Sequence, residues 1–415
     1  MRILQIINLG FEAGGAEKSV RLITEGLTDR GHQVRVIATD LLAEGQQVFA
    51  DELVPAIAGG PLHRLLAKAW HRPAHRAVRR VVEEFRPDCV HLHTIGEFSP
   101  SVLAATSGVP RVLTVHGPED WTLRLLRWNL PSAAAGGRLS TADTARYLYL
   151  RFCQRPGYLP RLRRVDRVLA PSRYFAQAVR RDLGRVPVHV LPNGIEAGPG
   201  PAPIGDPAEL VFVGRLEPVK GVRVLLEAFR QVIRNHPGTR LTIVGDGTAR
   251  AALEALAADL VAEGSVAFTG WLSPQGVGER LRSAAVVVLP SLWPENFPTV
   301  ALEALQLGRP LVASAVGGLP ELVGPDNGAL VPPGDAQALA AALSGLVGRP
   351  ELLARLGAGS AARAGRYGVR EFLDALEQHY REVGGTRPQP AAGPDAGVPN
   401  SGVPNAMSTE GSSRG

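Results

Sequence analysis

Cysteine is nearly absent: only Cys89 and Cys153 occur among 415 residues, and their separation matches no metal-binding spacing. A disulfide framework is excluded and a zinc site is unsupported. Aromatic residues make up 5% of the chain, whereas Ala, Gly, Pro and Arg abound, a bias of base composition more than of function. No run of about 18 uninterrupted apolar residues occurs, so no membrane-spanning helix is expected. The opening MRILQIINLG reads as a strand, without the apolar core and small-residue cleavage site of a signal peptide, and a cytoplasmic location is expected. From Thr386 to Gly415 large apolar side chains are too scarce to build a core, and residues 386–415 are expected to be a disordered tail.

Charge is unevenly spread. Residues 1–185 hold 27 Lys and Arg against 17 Asp and Glu, and the remainder 18 against 22. A basic first half suits an anionic partner, such as a membrane surface, a phosphorylated acceptor or nucleic acid, although arginine bias alone produces much of the same pattern. Between Pro118 and Asp166, WTLRLLRWNL, a break at Gly136-Gly137, and RYLYLRF followed by RLRR place basic and aromatic residues at near-helical spacing. Such a stretch is placed to lie on an anionic membrane, to frame an acceptor pocket, or simply to pack as an amphipathic helix.

Short apolar runs alternate with helical patterns. Strands are expected at Ile3–Ile7, His32–Ala38, Cys89–His93, Arg111–His116, Arg167–Ala170 and Val188–Leu191, with helices at Ala16–Arg30 and Arg72–Phe85. After a Pro- and Gly-rich break, AGPGPAPIGDP, the scheme repeats. Strands are expected at Leu210–Val213, Arg240–Val244, Val266–Thr269, Val286–Leu289 and Leu311–Ala313, and helices at Val222–Asn235, Thr248–Glu263, Pro274–Ala284 and Pro298–Leu307. The alternation predicts an α/β chain of two Rossmann-like, doubly wound parallel sheets: a first domain over 1–190, a linker over 191–209 and a second domain over 210–366. A last helix is expected at Glu371–Val383, within 367–385. In open sheets of this kind ligands bind beyond the carboxyl ends of strands, so two such domains form a site in the cleft between them.

The candidate site residues gather at those ends. In PSLWPENFPTVALEAL, Glu295 sits on the approach to a helix expected to begin at Pro298, and Glu303 lies about 7 Å along it. Between them the N–H groups of Phe297, Thr299 and Val300 point out of a positive helix end, a seat for phosphate. A carboxylate, an anion seat and a second carboxylate in line suit a sugar, a diphosphate and a ribose. Arg215 and Lys220 follow the first strand of the second domain, where a guanidinium fork and a point charge would neutralise a diphosphate. Gly14 and Gly15 follow the first strand of the chain and open its first helix, letting backbone approach an anion. Gly245 ends a strand, as does Gly270, after which Trp271 and Leu272 are placed either to read a base or to cap the core. His116 closes the strand containing VLTV and is placed to bond a sugar hydroxyl, to stabilise charge at the reacting carbon, or simply to serve as a core or loop histidine. His91 and His93 share a strand face but lack a third ligand, so they are not read as a metal site.

These segments resemble one known family. GGAEKSV at Gly14–Val20, TVHG at Thr114–Gly117, APSRYFAQAV at Ala170–Val179, LPNGIE at Leu191–Glu196, VGRLEPVKGV at Val213–Val222, VGDG at Val244–Gly247, FTGWL at Phe268–Leu272 and PSLWPENFPTVALEAL together are similar to retaining nucleotide-sugar glycosyltransferases of family 4, with the GT-B architecture. The resemblance implies that Glu295 and the N–H groups of Asn296 to Thr299 orient the donor sugar, that Glu303 holds the ribose, and that Arg215 and Lys220 hold the diphosphate. It also implies that Gly15 approaches the phosphates, that His116 lies near the anomeric carbon, and that the last helix crosses back to the first domain. Many relatives have Gly-Phe-Gly after the first glutamate. Here Asn296-Phe297-Pro298 removes one donor, at Pro298.

The expected activity is transfer of a hexosyl-type sugar from a UDP- or GDP-sugar to an acceptor hydroxyl with retention, in polysaccharide, glycolipid or secondary-metabolite glycoside synthesis, without an obligatory metal. An inactive nucleotide-sugar-binding protein and a GT-B epimerase are the alternatives. A nucleic-acid partner is not expected, because no basic-aromatic recognition motif is present.

Overall fold

A computed structural model describes residues 1–117, 119, 121, 122, 130 and 139–385. Gly136-Gly137, most of WTLRLLRWNL and the tail 386–415 lie outside the described residues. The first sheet comprises β1 (Arg2–Leu9), β2 (Gln33–Thr39), β3 (Glu52–Val54), β4 (Cys89–Leu92), β5 (Arg111–Thr114), β6 (Arg167–Ala170) and β7 (Val188–Val190), in the order β3-β2-β1-β4-β5-β6-β7. The second comprises β8 (Glu209–Val213), β9 (Arg240–Val244), β10 (Val266–Gly270), β11 (Val286–Leu289), β12 (Leu311–Ser314) and β13 (Gly328–Val331), in the order β10-β9-β8-β11-β12-β13. Every pairing of neighbouring strands is parallel. Such sheets are covered on both faces, so central strands read as unbroken apolar runs: all four residues of β11, VVVL, are buried.

Strand order reverses between β1 and β4 in one sheet and between β8 and β11 in the other. At these switch points neighbouring loops diverge and leave a crevice. The Gly14-Gly15 turn leaves β1, the Arg215–Lys220 loop leaves β8 and the Glu295 loop leaves β11.

The helix Val369–Gly385 leaves the second sheet and packs on the first. Its Leu373, Leu376, Tyr380 and Val383 join Ile3, Leu22, Ile23, Leu27, Cys89, Val112 and Leu169 in one buried cluster. Each such apolar side chain contributes about 1.5–3 kcal/mol, and Arg30 adds ion pairs to Asp374 at 2.7 Å and Glu377 at 2.9 Å. The chain crosses between domains twice, side by side: Ile195 donates to Tyr367 at 2.8 Å, and Val369 donates back to Ile195 at 3.0 Å.

Several expectations need correction. The helix expected at Thr248–Glu263 is two, Arg250–Leu256 and Ala258–Ala262, because buried Ala257 leaves helical geometry and shares its N–H between the carbonyls of Leu253 and Glu254. Pro298 caps the helix Thr299–Gln306 from outside instead of occupying its first position. The edge strands β3 and β13 are additions to the expected set: each buries a single residue, so neither shows the apolar run that marks the central strands. RYLYLRF lies in a helical stretch from Thr141 to Leu162 that buries Leu150, Tyr158 and Leu162 and leaves Leu148 and Phe152 exposed, so packing accounts for only part of its apolar pattern. Among the described residues no helix is long and apolar enough to cross a membrane.

Candidate active site

Glu295 is buried on the loop after β11, and its Oε1 accepts from Lys220 Nζ at 2.7 Å and from Ser291 Oγ at 2.6 Å. Burial alone would push this carboxyl up, but the Lys220 charge and the two hydrogen bonds outweigh it and hold it below the ordinary carboxylate range. The two loops reach each other because Gly221, in the left-handed region at φ +72°, brings the chain against the carbonyl of Pro290 where no side chain would fit. Lys220 also stands 5.3 Å over the Trp293 ring. Arg215, on the same loop, is exposed; its carbonyl accepts from the Glu217 N–H at 2.9 Å, and its guanidinium bonds to no described residue.

The backbone under Glu295 is held from behind. Gly318 N–H donates to the Glu295 carbonyl at 2.7 Å, and an added methyl on Gly317 or Gly318 would overlap the carbonyls of Glu295 or Asn296. The helix Thr299–Gln306 begins just beyond, and the N–H groups of Phe297, Thr299 and Val300 meet no described acceptor. Phe297 itself is buried edge-on against Tyr367, anchoring this helix end in the core.

The first domain meets these groups along a polar seam. Asn296 donates from Nδ2 to the Val115 carbonyl at 2.7 Å and accepts at Oδ1 from Ser172 at 2.9 Å, while Asn193 donates to the Phe297 carbonyl at 3.1 Å. Glu321 caps the helix Arg173–Leu183 from the other domain, accepting from the Arg173 N–H at 2.8 Å. Gly15 faces Thr299, whose Cγ2 lies 3.8 Å from where a Cβ would stand. Lys18 crosses to Glu303 at 2.6 Å. Glu17, three residues after the Gly14 cap, folds back over its own helix start; burial raises its pKa, while backbone N–H groups and the nearby Arg215 charge pull the other way.

His116, half-buried, follows Val115 at this seam, and burial pushes it down to about 4, so it is neutral at pH 7. His91 and His93 behind it are driven well below 6.5 by the same cause, and His379 to about 4 by burial and the Arg167 charge. Unfolding lets these side chains take up protons near 6.5 that the folded chain refuses, so stability falls as the pH drops below that value. The expected slope is about 1.4 kcal/mol per pH unit for each such histidine. Urea midpoints at pH 7, 6 and 5 check this, because carboxylates contribute mainly below that window; an unchanged midpoint would refute it.

Of the sequence-predicted residues, the structure brings Gly15, Glu303, Thr299, Pro298, Phe297, Asn296, Glu295 and Lys220 to one seam, with Gly14, Arg215 and His116 at its edge. Gly245 and Gly270 bond to each other at 2.9 Å at the carboxyl ends of β9 and β10. Trp271 is 71% exposed, which excludes the core-capping reading, and Leu272 packs partly into the core. Sequence reasoning missed Ser172, Asn193, Lys18, Ser291, Gly317 and Gly318 as parts of the site. Lys18, Ser172 and Asn193 lie inside the segments GGAEKSV, APSRYFAQAV and LPNGIE, and the Gly-Gly pair after β12 repeats the signal of Gly14-Gly15 after β1.

Residues 13–198 match the family described as Glycosyltransferase Family 4, and residues 200–363 match Glycosyl transferases group 1. Glycogen synthase of Mycobacterium tuberculosis is 29% identical over 388 residues, covering 87% of this chain and 88% of that protein. Among solved structures, sucrose-phosphate synthase from Thermosynechococcus elongatus superposes with a TM-score of 0.74 at 23% identity, over 93% of this chain and all of that one. HepE of Anabaena, in complex with UDP and glucose, gives a TM-score of 0.66 at 21% identity over 92% of this chain and all of that one.

Proposed function

Because this chain belongs to glycosyltransferase family 4 and has its GT-B fold, we propose that it transfers a hexosyl residue from a UDP-sugar, or else a GDP-sugar, to an acceptor hydroxyl with retained anomeric configuration. The observation that carries this reading is the seat between the domains. The paired Lys220 and Glu295, the unpaired Arg215 guanidinium and the free N–H groups at Thr299 and Val300 belong to the second domain, and Gly15 of the first faces Thr299. The UDP and glucose held by HepE favour UDP as the nucleotide.

Breaking the anomeric bond builds negative charge on the departing diphosphate. Lys220, Arg215 and the helix end at Thr299 meet that charge with groups already oriented, a contribution for which loss of one donor costs about 3 kcal/mol. Glu295, fixed by Lys220 and Ser291, is placed to accept from sugar hydroxyls, and Glu303 from the ribose. The leaving phosphate oxygen takes the acceptor proton on the same face, so no protein base is assigned.

Lys18 pairs with the proposed ribose acid, Glu303, across the seam. The pair is partly exposed, 46% and 24% at its two side chains, and such pairs are worth at most about 1 kcal/mol. Lys18→Met is therefore expected to tighten UDP binding by up to about fivefold in calorimetry; weaker binding would place Lys18 on the nucleotide instead.

The deciding experiment is incubation of the protein with a panel of UDP-, GDP-, ADP- and TDP-sugars and mixed hydroxyl acceptors, in EDTA, followed by NMR of the product. One donor is expected to be consumed, with the anomeric configuration kept. An inverted product, an epimerised donor or strict Mg²⁺ dependence would each overturn the corresponding part of the reading.

A further inference from the structure

A line of polar side chains runs from His116 into the first domain. His116 Nε2 lies 2.9 Å from His93 Nδ1, His93 Nε2 lies 3.0 Å from Gln5 Oε1, and Gln5 Nε2 lies 2.6 Å from Thr24 Oγ1. The Thr24 hydroxyl ends the line 2.8 Å from the Val20 carbonyl.

The direction of every proton follows from that far end. A carbonyl has no proton to give, so the single hydroxyl proton of Thr24 goes to Val20, and Thr24 accepts from the amide nitrogen of Gln5. With its nitrogen so committed, Gln5 offers its oxygen to His93, whose Nε2 must carry hydrogen. A neutral imidazole has one N–H, which leaves His93 Nδ1 bare to accept from Nε2–H of His116. The same rule leaves Nδ1 of His116 bare. That nitrogen bonds to no described residue and is not among the buried polar atoms lacking a partner. It belongs to the residue next to Val115, whose carbonyl is bound by Asn296 beside Glu295.

We propose that Gln5 and His93 are positioning residues that lock His116 as the Nε2–H tautomer, so that it meets a substrate hydroxyl at the seam as a hydrogen-bond acceptor and never as a donor. The functional half of this proposal rests on the glycosyl-transfer reading; the tautomer does not. An acceptor at this point selects an O–H group and repels a phosphate oxygen. His93 supplies one donor and one acceptor to the line, while the neighbouring His91 stands outside it, bonded to Tyr380 and Thr114 at 2.7 Å each; among the described residues no group of three or more potential ligands could hold a metal ion.

Long-range ¹H–¹⁵N NMR of the full chain, with ¹⁵N-labelled histidine and the His116 resonances assigned by difference from His116→Asn, reads the tautomer directly. His116 is expected to show a protonated Nε2 and a bare Nδ1 in the unliganded protein; the opposite pattern overturns the proposal without any variant. Gln5→Met and Thr24→Val remove the two groups that set the direction and are expected to give mixed tautomers. With them kcat should fall roughly five- to tenfold, the loss of one hydrogen bond, at a donor KM within twofold of wild type. Thr24→Ser keeps the hydroxyl and is expected to restore both readouts. An unchanged His116 pattern in Gln5→Met, or mixed tautomers at full kcat, overturns the positioning role. If the wild-type chain shows the expected tautomer but transfers no sugar from any donor, the lock stands and the glycosyl-transfer reading fails.

Discussion

Replacing Lys220 by methionine is expected to lower kcat at least a hundredfold and to destabilise the fold by about 3–5 kcal/mol. One ammonium group serves two ends. It neutralises a carboxylate that is almost wholly enclosed, the side chains being 18% and 10% exposed, and it stands where the diphosphate would gather charge. Without it, Glu295 keeps the Ser291 hydroxyl but loses the charge that offsets burial. Burial then pushes its carboxyl above the ordinary range. The pH dependence identifies the cause. In wild type the depressed Glu295 contributes stability that is present above its unfolded value and is lost on acidification. In Lys220→Met the raised group is destabilising at pH 7 and is relieved as the pH falls. The stability gap between the two proteins should therefore narrow from pH 8 to pH 5, measured by urea unfolding. A gap that stays constant would mean that packing over Trp293, and not charge, is what the lysine provides.

Gly318→Ala is the second large effect. Gly318 has an ordinary backbone conformation, so the expected loss is steric: the new methyl would overlap the Asn296 carbonyl and stand 2.8 Å from Ser172 Cβ. Asn296 must move, and it carries Glu295 on one side and two hydrogen bonds to the first domain on the other. Overpacking of this kind costs about 1–3 kcal/mol, and displacement of a reacting geometry by about 1 Å costs on the order of a hundredfold in rate. The two numbers should separate: kcat falls about a hundredfold while the protein still unfolds cooperatively. Gly278→Ala, in the helix Pro274–Ser283 where an added methyl meets open space, is the control and should leave kcat unchanged. Gly318→Ala with kcat within threefold of wild type would mean that the Glu295 loop tolerates movement.

The parts of the site legible in the sequence are those fixed by local rules. Glu295 and Glu303 declare themselves by their placement on either side of a helix start, and Arg215 and Lys220 by following a strand end; both patterns depend on fewer than a dozen residues. The parallel sheets were legible because burial on both faces leaves apolar runs such as VVVL. Groups that act across the seam were not. Lys18 and Glu303 are 285 residues apart, and Asn296 reaches Val115 over 181; nothing in either neighbourhood announces the other. His93 was legible as a histidine on a strand face, but its partners Gln5 and Thr24 belong to a different strand and a helix, so its use as a link in a proton-ordered line required the fold. Trp271 illustrates the converse: a large aromatic at a strand end is usually buried, yet here it lies in solvent.

The double crossing at Ile195 and Val369 has a mechanical consequence. The second lobe is an insertion whose two ends leave and re-enter the first at a single place, tied by reciprocal backbone bonds. Two parallel tethers at one edge act like the leaves of a door hinge: they permit swinging about their common line and resist twist or drift. A swing about that line would part Lys18 from Glu303 along an arc while the reciprocal bonds hold the two ends together.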